Sequence, residues 1–209
     1  MSLIEKVNSR KTSTYIFATI GAIFLAIILL NQFANNPSTY KLKLEQERDN
    51  KDLMLKNDPD SPIPKAEKAT FEGLRYFSIN EAYRVPATLI QDAPEDTLTL
   101  MTSTGSDYQV VTAGKLQFTL QNQTHQLSAY TYLEAGKSGY FVPFTDLTSG
   151  VSTYGGGRYL DVPTGNELII DFNTAYNPYC AYNADFVCPL PPAENHLQVE
   201  IRSGELEYQ

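Results

Sequence analysis

The chain has 209 residues, of which 42% are hydrophobic and 19% are charged, so it has the composition of an ordinary globular protein with material for one domain. Its net charge of -8 argues against binding to nucleic acid or to anionic lipid, because both need a basic surface. The 14 Tyr and 10 Phe, without any Trp, favour strands over helices.

The first apolar segment, residues 15–34, is long enough to cross a membrane. It begins YIFATIGAIFLAIILL and contains no charged residue. As a helix it would be about 30 Å long, which matches the hydrocarbon core of a bilayer. Lys6, Arg10 and Lys11 precede it, and positive charge stays on the cytoplasmic side, so residues 1–14 are predicted to be cytoplasmic.

This segment has two interpretations, a cleavable signal peptide and an uncleaved signal anchor. The apolar run is longer than the core of a usual signal peptide, and no small-x-small cleavage site follows it, so we expect the anchor. The sequence therefore predicts a single-pass protein of the bacterial inner (cytoplasmic) membrane. The N-terminal helix would be its contact with the membrane, and an extracytoplasmic domain would belong to the cell envelope.

A stalk or linker, partly helical, is predicted for residues 35–70. The charged segment from Lys41 to Asn57 permits a helix, and Pro59, Pro62 and Pro64 end it.

Residues 71–209 are predicted to form one extracytoplasmic β-domain. Short segments alternate apolar and polar residues, with turn residues between them, which is typical of an antiparallel sandwich or barrel. No long helical period interrupts them, so we predict an all-β fold. In chain order the predicted strands contain LRYFSI, YRVPATLI, TLTLMTS, DYQVVT, KLQFTL, THQLSAYTYL, GYFVPF, ELIIDF and LQVEIR.

Three glycines, Gly155–Gly157, stand directly before Arg158 in TSGVSTYGGGRYLD. A phosphate loop of the Walker type needs a lysine after its last glycine, and a dinucleotide fingerprint must open a helix. Here RYLDVP follows, which reads as a strand. Ser149 lies in Thr-Ser-Gly and does not match a nucleophile elbow. The glycines are therefore predicted to form a turn that positions Arg158.

Arg158 is the only basic residue between Lys137 and Arg202, in a region rich in acidic residues. It has two main interpretations. A buried arginine would need carboxylate partners and would join strands as a structural ion pair. An exposed one would bind an anionic group of a ligand.

Metal and catalytic chemistry are less well indicated. Two histidines are too few for most metal sites, and a calcium site from Asp146, Asp161, Asp171 and Asn173 lacks a known loop spacing, so no metal or cofactor is predicted. An extracytoplasmic hydrolase could use two carboxylates from Asp146, Asp161, Asp171 and Glu194.

Cys180 and Cys188 are the only cysteines and enclose the sequence AYNADFV. Outside the cytoplasm they would be expected to form a disulfide. A two-thiolate metal site is the alternative, but it lacks further ligands nearby.

The longest motifs resemble a known bacterial and archaeal family, Domain of Unknown Function 1684. They are FTDLTSGVSTYGGGRYLD, IIDFNTAYNPYCAYNADFVCPLPPAEN and the SGE of residues 203–205. The resemblance covers residues 60–208 and implies a short, membrane-anchored member, but it carries no activity. Tyr179 stands where the family commonly has proline, and His196 where it commonly has arginine, which removes a possible basic residue from the site.

The leading hypothesis is an envelope domain that binds a small polar or anionic ligand around Arg158. A hydrolase with a carboxylate pair and a purely structural motif are the alternatives. The candidate ligand-binding residues are Arg158, Asp146, Thr148, Ser149, Tyr154, Asp171, Asn173, Tyr176, Asn177, Glu194 and Asn195.

Overall fold

A computed structural model describes residues 20, 22–26, 36–91, 96–131 and 138–208. The chain divides into two compact units, Met1–Glu47 and Arg48–Gln209. The β-strands all lie in the second unit.

The predicted membrane location is contradicted. None of the helices in the described part of the chain combines the length and the apolar character that crossing a membrane requires. Of the predicted anchor, only Ile20 and residues 22–26 are described; they are helical, and the rest of residues 1–34 lies outside the description. The predicted single-pass location in the inner membrane is therefore wrong on this finding.

Helix α1, Pro37–Asn57, begins a few residues before the predicted helical segment. The side chain of Asn36 accepts a hydrogen bond from the backbone N–H of Ser38, and proline at the first helical position suits the fixed backbone angle there.

The second unit begins inside the segment that the sequence predicts as a stalk. Leu55 from the end of α1 and Ile63 are buried in a cluster with Phe71 and Tyr182. Part of the predicted stalk, residues 35–70, thus contributes to the core of the second unit.

The sheet has eight strands in the described residues, and its order is β6-β5-β4-β3-β1-β7, with β2 paired to β3 and β8 paired to β5. All pairs are antiparallel except β5 with β8. The strands are β1 Arg84–Ile90, β2 Thr97–Met101, β3 Asp107–Leu120, β4 Gln123–Thr131, β5 Tyr140–Asp146, β6 Arg158–Val162, β7 Leu168–Asp171 and β8 His196–Leu197.

The two end strands of this order nearly close the sheet into a barrel. Tyr159 in β6 and Tyr176, which follows β7, exchange two backbone hydrogen bonds of 2.8 and 3.0 Å. The prediction of an antiparallel β-domain is confirmed, and the architecture is the barrel-like one of the two that the alternating pattern allowed.

The core follows the predicted alternation. Leu116, Phe118 and Leu120 of β3 are all buried on one face, as the pattern of KLQFTL indicates. DYQVVT and KLQFTL, predicted as separate segments, form one continuous strand with a register shift between Thr112 and Gly114.

Two predicted strands are not formed as expected. LRYFSI contributes only an isolated bridge from Tyr76 to Glu205. In LQVEIR only the first residue lies in a strand, although Leu197, Val199 and Ile201 are buried as predicted. LRYFSI hydrogen-bonds to residues 204–206, through the N–H groups of Phe77 and Leu206, and LQVEIR follows the end of β5, where the N–H of Leu147 donates to the carbonyl of Val199. Neither segment continues a regular ladder, so alternation alone overestimates their regularity.

Gly157 should be the most sensitive of the three glycines before Arg158. Its φ is +91°, and an added Cβ would lie 2.6 Å from the carbonyl oxygen of Phe144. We predict that Gly157→Ala lowers the free energy of unfolding by about 2–4 kcal/mol, from backbone strain plus overpacking. Gly105→Ala is the control, because Gly105 has a φ of +79° but open space around it. Urea denaturation should show the smaller loss for Gly105→Ala; equal losses would contradict the close contact at Gly157.

Candidate functional site

Arg158 is the first residue of β6 and its side chain has 0% exposure. The guanidinium Nη2 donates to Oδ2 of Asp146 and to the carbonyl of Ile201, both at 2.9 Å. Nη1 donates to the carbonyls of Ser203 and Glu205. A buried guanidinium requires such partners, and here one carboxylate and three carbonyls supply them.

Asp146 ends β5 and is equally buried. Its Oδ1 accepts hydrogen bonds from the N–H and the hydroxyl of Thr148, at 2.8 and 2.6 Å, and from the N–H of Ile201 at 3.1 Å. Burial lowers the pKa of Arg158 below its ordinary value, and the charge of Asp146 opposes that shift. The pair thus ties β5, β6 and the C-terminal segment together, and of its side-chain nitrogen and oxygen atoms only Nε of the guanidinium lacks a hydrogen-bond partner among the described residues.

The loop between β5 and β6 is a compact turn, as the sequence predicts. The backbone N–H of Asp146 donates to the hydroxyl of Ser149 at 3.1 Å, and the hydroxyls of Thr148 and Thr153 lie 3.0 Å apart. The N–H of Gly157 donates to the carbonyl of Tyr154 at 3.0 Å. A strand follows, so the loop lacks the helix N-terminus of a phosphate-binding loop.

Glu205 is a second buried acid, which the candidate site of the sequence analysis did not include. Its Oε2 accepts from the N–H of Asn177 at 2.8 Å and from the hydroxyl of Tyr182 at 2.6 Å, and its Oε1 lies 2.5 Å from Nζ of Lys51. The motif SGE was a usable signal, but the partner Lys51 comes from helix α1, far away in the sequence.

Two asparagines of the predicted site join backbone segments. Asn173 accepts from the Ser203 hydroxyl at 2.7 Å and from the N–H of Asn80 at 2.9 Å, and it donates to Oδ1 of Asp171 at 3.0 Å. Asn195 accepts from the N–H of Ser128 at 2.7 Å and donates to the carbonyls of Ser128 and Pro143, at 2.9 and 2.8 Å. Both asparagine side chains are buried and are therefore inaccessible to a ligand.

The predicted site is therefore only partly assembled. Asp146, Thr148, Ser149 and Arg158 lie together in one buried network, and Asn173 and Asn177 join it through the C-terminal segment. Glu194 is exposed in a single helical turn. In the part of the chain that the structure describes, no group of three His, Cys, Asp or Glu could hold a metal ion.

A cavity of about 470 Å³ lies on the other side of β6. Successive residues of a strand point to opposite faces, so Arg158 and Leu160 face the core while Tyr159 and Asp161 face this cavity. The cavity is lined by Tyr108, Ser138, Phe141, Tyr159, Asp161, Tyr176, Pro178, Tyr179, Phe186, Val187, Cys188 and Pro189.

Aromatic contacts hold the cavity wall. The rings of Phe141 and Tyr159 meet edge to face with centroids 4.8 Å apart, and those of Tyr159 and Tyr176 at 5.8 Å. The hydroxyl of Tyr159 donates to the carbonyl of Pro189, and burial raises the pKa of Tyr159. The hydroxyl of Tyr176 donates to Oδ2 of Asp161 at 3.0 Å and so orients this carboxylate.

Of the predicted ligand-binding residues, Tyr176 lines the cavity. Arg158 is not among the described residues that line it. The other aromatic residues of the wall were not among the predicted site residues. The period of two in RYLDV was a usable signal, since it separates Tyr159 and Asp161 from Arg158.

Cys180 and Cys188 are both free thiols, and the backbone N–H of Cys180 donates to Sγ of Cys188 at 3.2 Å. The predicted disulfide is thus not formed in this structure and stays a prediction. The hydroxyl of Tyr154 lies 3.8 Å from Sγ of Cys180, which places this candidate residue beside the cysteines and away from Arg158.

Comparison with known proteins finds a match to the family model described as "Protein of unknown function (DUF1684)" over residues 69–206. The solution NMR structure of an uncharacterized protein from Haloarcula marismortui is 34% identical, with a TM-score of 0.66; the match covers 83% of this chain and 97% of that one. No curated protein matches the chain.

Removing one member of the buried ion pair should be costly. We predict that Asp146→Ala lowers the free energy of unfolding by about 3–5 kcal/mol, because the guanidinium of Arg158 then lacks its buried counter-charge. The double variant Asp146→Leu with Arg158→Met should lose less than either single replacement, since no unpaired charge remains.

Denaturant unfolding measures these changes, and Glu200→Ala is the matched control. Glu200 pairs with Arg202 at 2.6 Å, but both side chains are exposed, so its replacement should change stability little. Similar losses for Asp146→Ala and Glu200→Ala would refute the role assigned to the buried pair.

Proposed function

We propose that the β-domain of this chain, which belongs to the DUF1684 family of proteins of unknown function, binds a small organic cation in the aromatic cavity beside β6. The observation that carries the proposal is the combination of many aromatic side chains with one carboxylate. The aromatic residues that line the cavity are Tyr108, Phe141, Tyr159, Tyr176, Tyr179 and Phe186.

Aromatic rings suit a cation, because the face of each ring carries a negative electrostatic potential. A cation over such a face gains about 0.5–2 kcal/mol, and more than one ring can contribute in an aromatic cavity. The protein already contains a contact of this type, since Nζ of Lys51 lies 5.1 Å from the ring centroid of Tyr176. The apolar parts of the same rings would cover the hydrocarbon portion of the ligand.

The charge of the cavity favours the same class of ligand. Among the described residues that line it, Asp161 alone carries a charge. The hydrogen bond from the Tyr176 hydroxyl orients the carboxylate of Asp161 before a ligand binds. The net charge of -8 adds a long-range attraction for cations.

The volume of about 470 Å³ falls within the range of small-molecule sites, which is about 300–1,000 Å³. A ligand with one or two rings and an amino or quaternary ammonium group would fit this description.

This proposal replaces the ligand class that the sequence suggested. A polar or anionic ligand at Arg158 would need an accessible guanidinium, whereas the side chain is buried among carbonyls and Asp146. The hydrolase alternative needs two neighbouring carboxylates in a cleft. Of its four candidates, Asp161 is the one that lines the aromatic cavity, and Asp146 is engaged with Arg158, so no specific observation favours this alternative.

Three naphthalene probes of similar shape test the proposal: 2-naphthylmethylammonium, 2-naphthalenemethanol and 2-naphthoate. Titration calorimetry should show the cation binding about tenfold more tightly than the neutral alcohol, and the anion most weakly. Asp161→Asn should weaken binding of the cation about tenfold and leave that of the alcohol nearly unchanged.

Glu72→Gln is the matched control, because it changes the net charge equally at an exposed residue that does not line the cavity. It should leave all three affinities unchanged. Preferential binding of the naphthoate, or equal effects of Asp161→Asn on cation and alcohol, would refute the proposal.

A further inference from the structure

The two cysteines are in contact at the edge of the cavity, which Cys188 lines. Cys180 lies in the short helical turn Tyr179–Ala181, and its N–H donates to Sγ of Cys188 at 3.2 Å. Cys188 is buried, whereas Cys180 is partly exposed. A partly exposed thiol next to a buried one is the arrangement in which one cysteine can meet an outside reagent and the other can react only afterwards.

We propose that Cys180 and Cys188 are a dithiol site for thiol–disulfide exchange with a low-molecular-weight disulfide, in which Cys180 attacks and Cys188 resolves. This proposal is independent of the cation that the cavity binds.

The surroundings of Cys180 favour its thiolate. A hydrogen bond from Cys188 lowers the pKa of Cys180 to about 7, and the hydroxyl of Tyr154 acts in the same direction. The same contact with Cys180 raises the pKa of Cys188. The thiolate is the reactive form of cysteine, so the two residues differ both in exposure and in readiness to react.

The backbone around Cys188 is held in place for the second step. Its carbonyl accepts from the N–H of Ser103 at 2.9 Å, and its own N–H donates to the Ser103 hydroxyl at 3.3 Å. The resolving sulfur therefore stays next to Cys180 while the outer thiol reacts.

The exchange balances in two steps. The Cys180 thiolate attacks one sulfur of the small disulfide RS–SR; the S–S bond breaks, and one RS⁻ leaves with the bonding electrons and takes up a proton. Cys188 then loses its proton and attacks the Cys180 sulfur of the mixed disulfide, which expels the second RS⁻. Two protein thiols are oxidised to one disulfide, and the small disulfide is reduced to two thiols.

Oxidised glutathione is the probe, applied to the reduced full-length chain, with acid quenching and mass spectrometry of the intact protein and of its peptides. The wild-type protein should end with a Cys180–Cys188 disulfide and without a glutathione adduct. Cys188→Ser should stop with one glutathione on Cys180. Cys180→Ser should react at least about tenfold more slowly, because the remaining thiol is buried.

A wild-type end point with glutathione still attached, or no reaction with oxidised glutathione, would overturn the proposal without use of any variant. Equal reaction rates for Cys180→Ser and Cys188→Ser would overturn the assigned roles. Circular dichroism of each variant verifies its fold, and Cys→Ala replacements repeat the comparison if a serine variant does not fold.

Discussion

The buried pair of Arg158 and Asp146 is the constraint on which the arrangement of the domain depends. A guanidinium without contact to solvent needs a counter-charge and hydrogen-bond acceptors for its N–H groups, because burying an unpaired charge costs a large amount of free energy. The C-terminal segment supplies three of these acceptors as backbone carbonyls, at Ile201, Ser203 and Glu205. This segment is mostly not a β-strand, and the ion pair explains how it is nevertheless held at one position on the barrel.

Strand β6 connects this interior network to the cavity. Neighbouring residues of the strand face opposite sides, so β6 places the charge of Arg158 in the core and the ring of Tyr159 and the carboxylate of Asp161 on the cavity side. The two backbone hydrogen bonds between Tyr159 and Tyr176 then bring the segment after β7 to the cavity rim. The contact that nearly closes the barrel therefore also brings together Tyr159 and Tyr176 of the aromatic wall.

The sequence was sufficient for the fold class and for the turn before Arg158, because both depend on local patterns: alternation in KLQFTL and a strand directly after Gly157. Alternation in RYLDV also indicates which residues of β6 share a face. Burial of Arg158 was one of the two main interpretations of this residue from the sequence. The cavity could not be located, since its wall combines residues from β3, β5 and β6 with the loop around Cys188. The regularity of LRYFSI was overestimated for the same reason, because hydrogen bonding between strands depends on neighbours that are distant in sequence.

The buried network also reaches the cavity through the backbone beside Tyr176. The backbone N–H of the next residue, Asn177, donates to the side-chain carboxylate of Glu205. The backbone carbonyl of Glu205 in turn accepts a hydrogen bond from Arg158. Arg158 can thus influence ligand binding only by positioning the wall. We expect the double variant Asp146→Leu with Arg158→Met to weaken binding of neutral and cationic probes by the same factor, because the shape of the cavity changes while the net charge of the protein and the charge of the cavity do not. Parallel calorimetric titrations separate this effect from that of Asp161, and a selective loss of either probe class would contradict the positioning role.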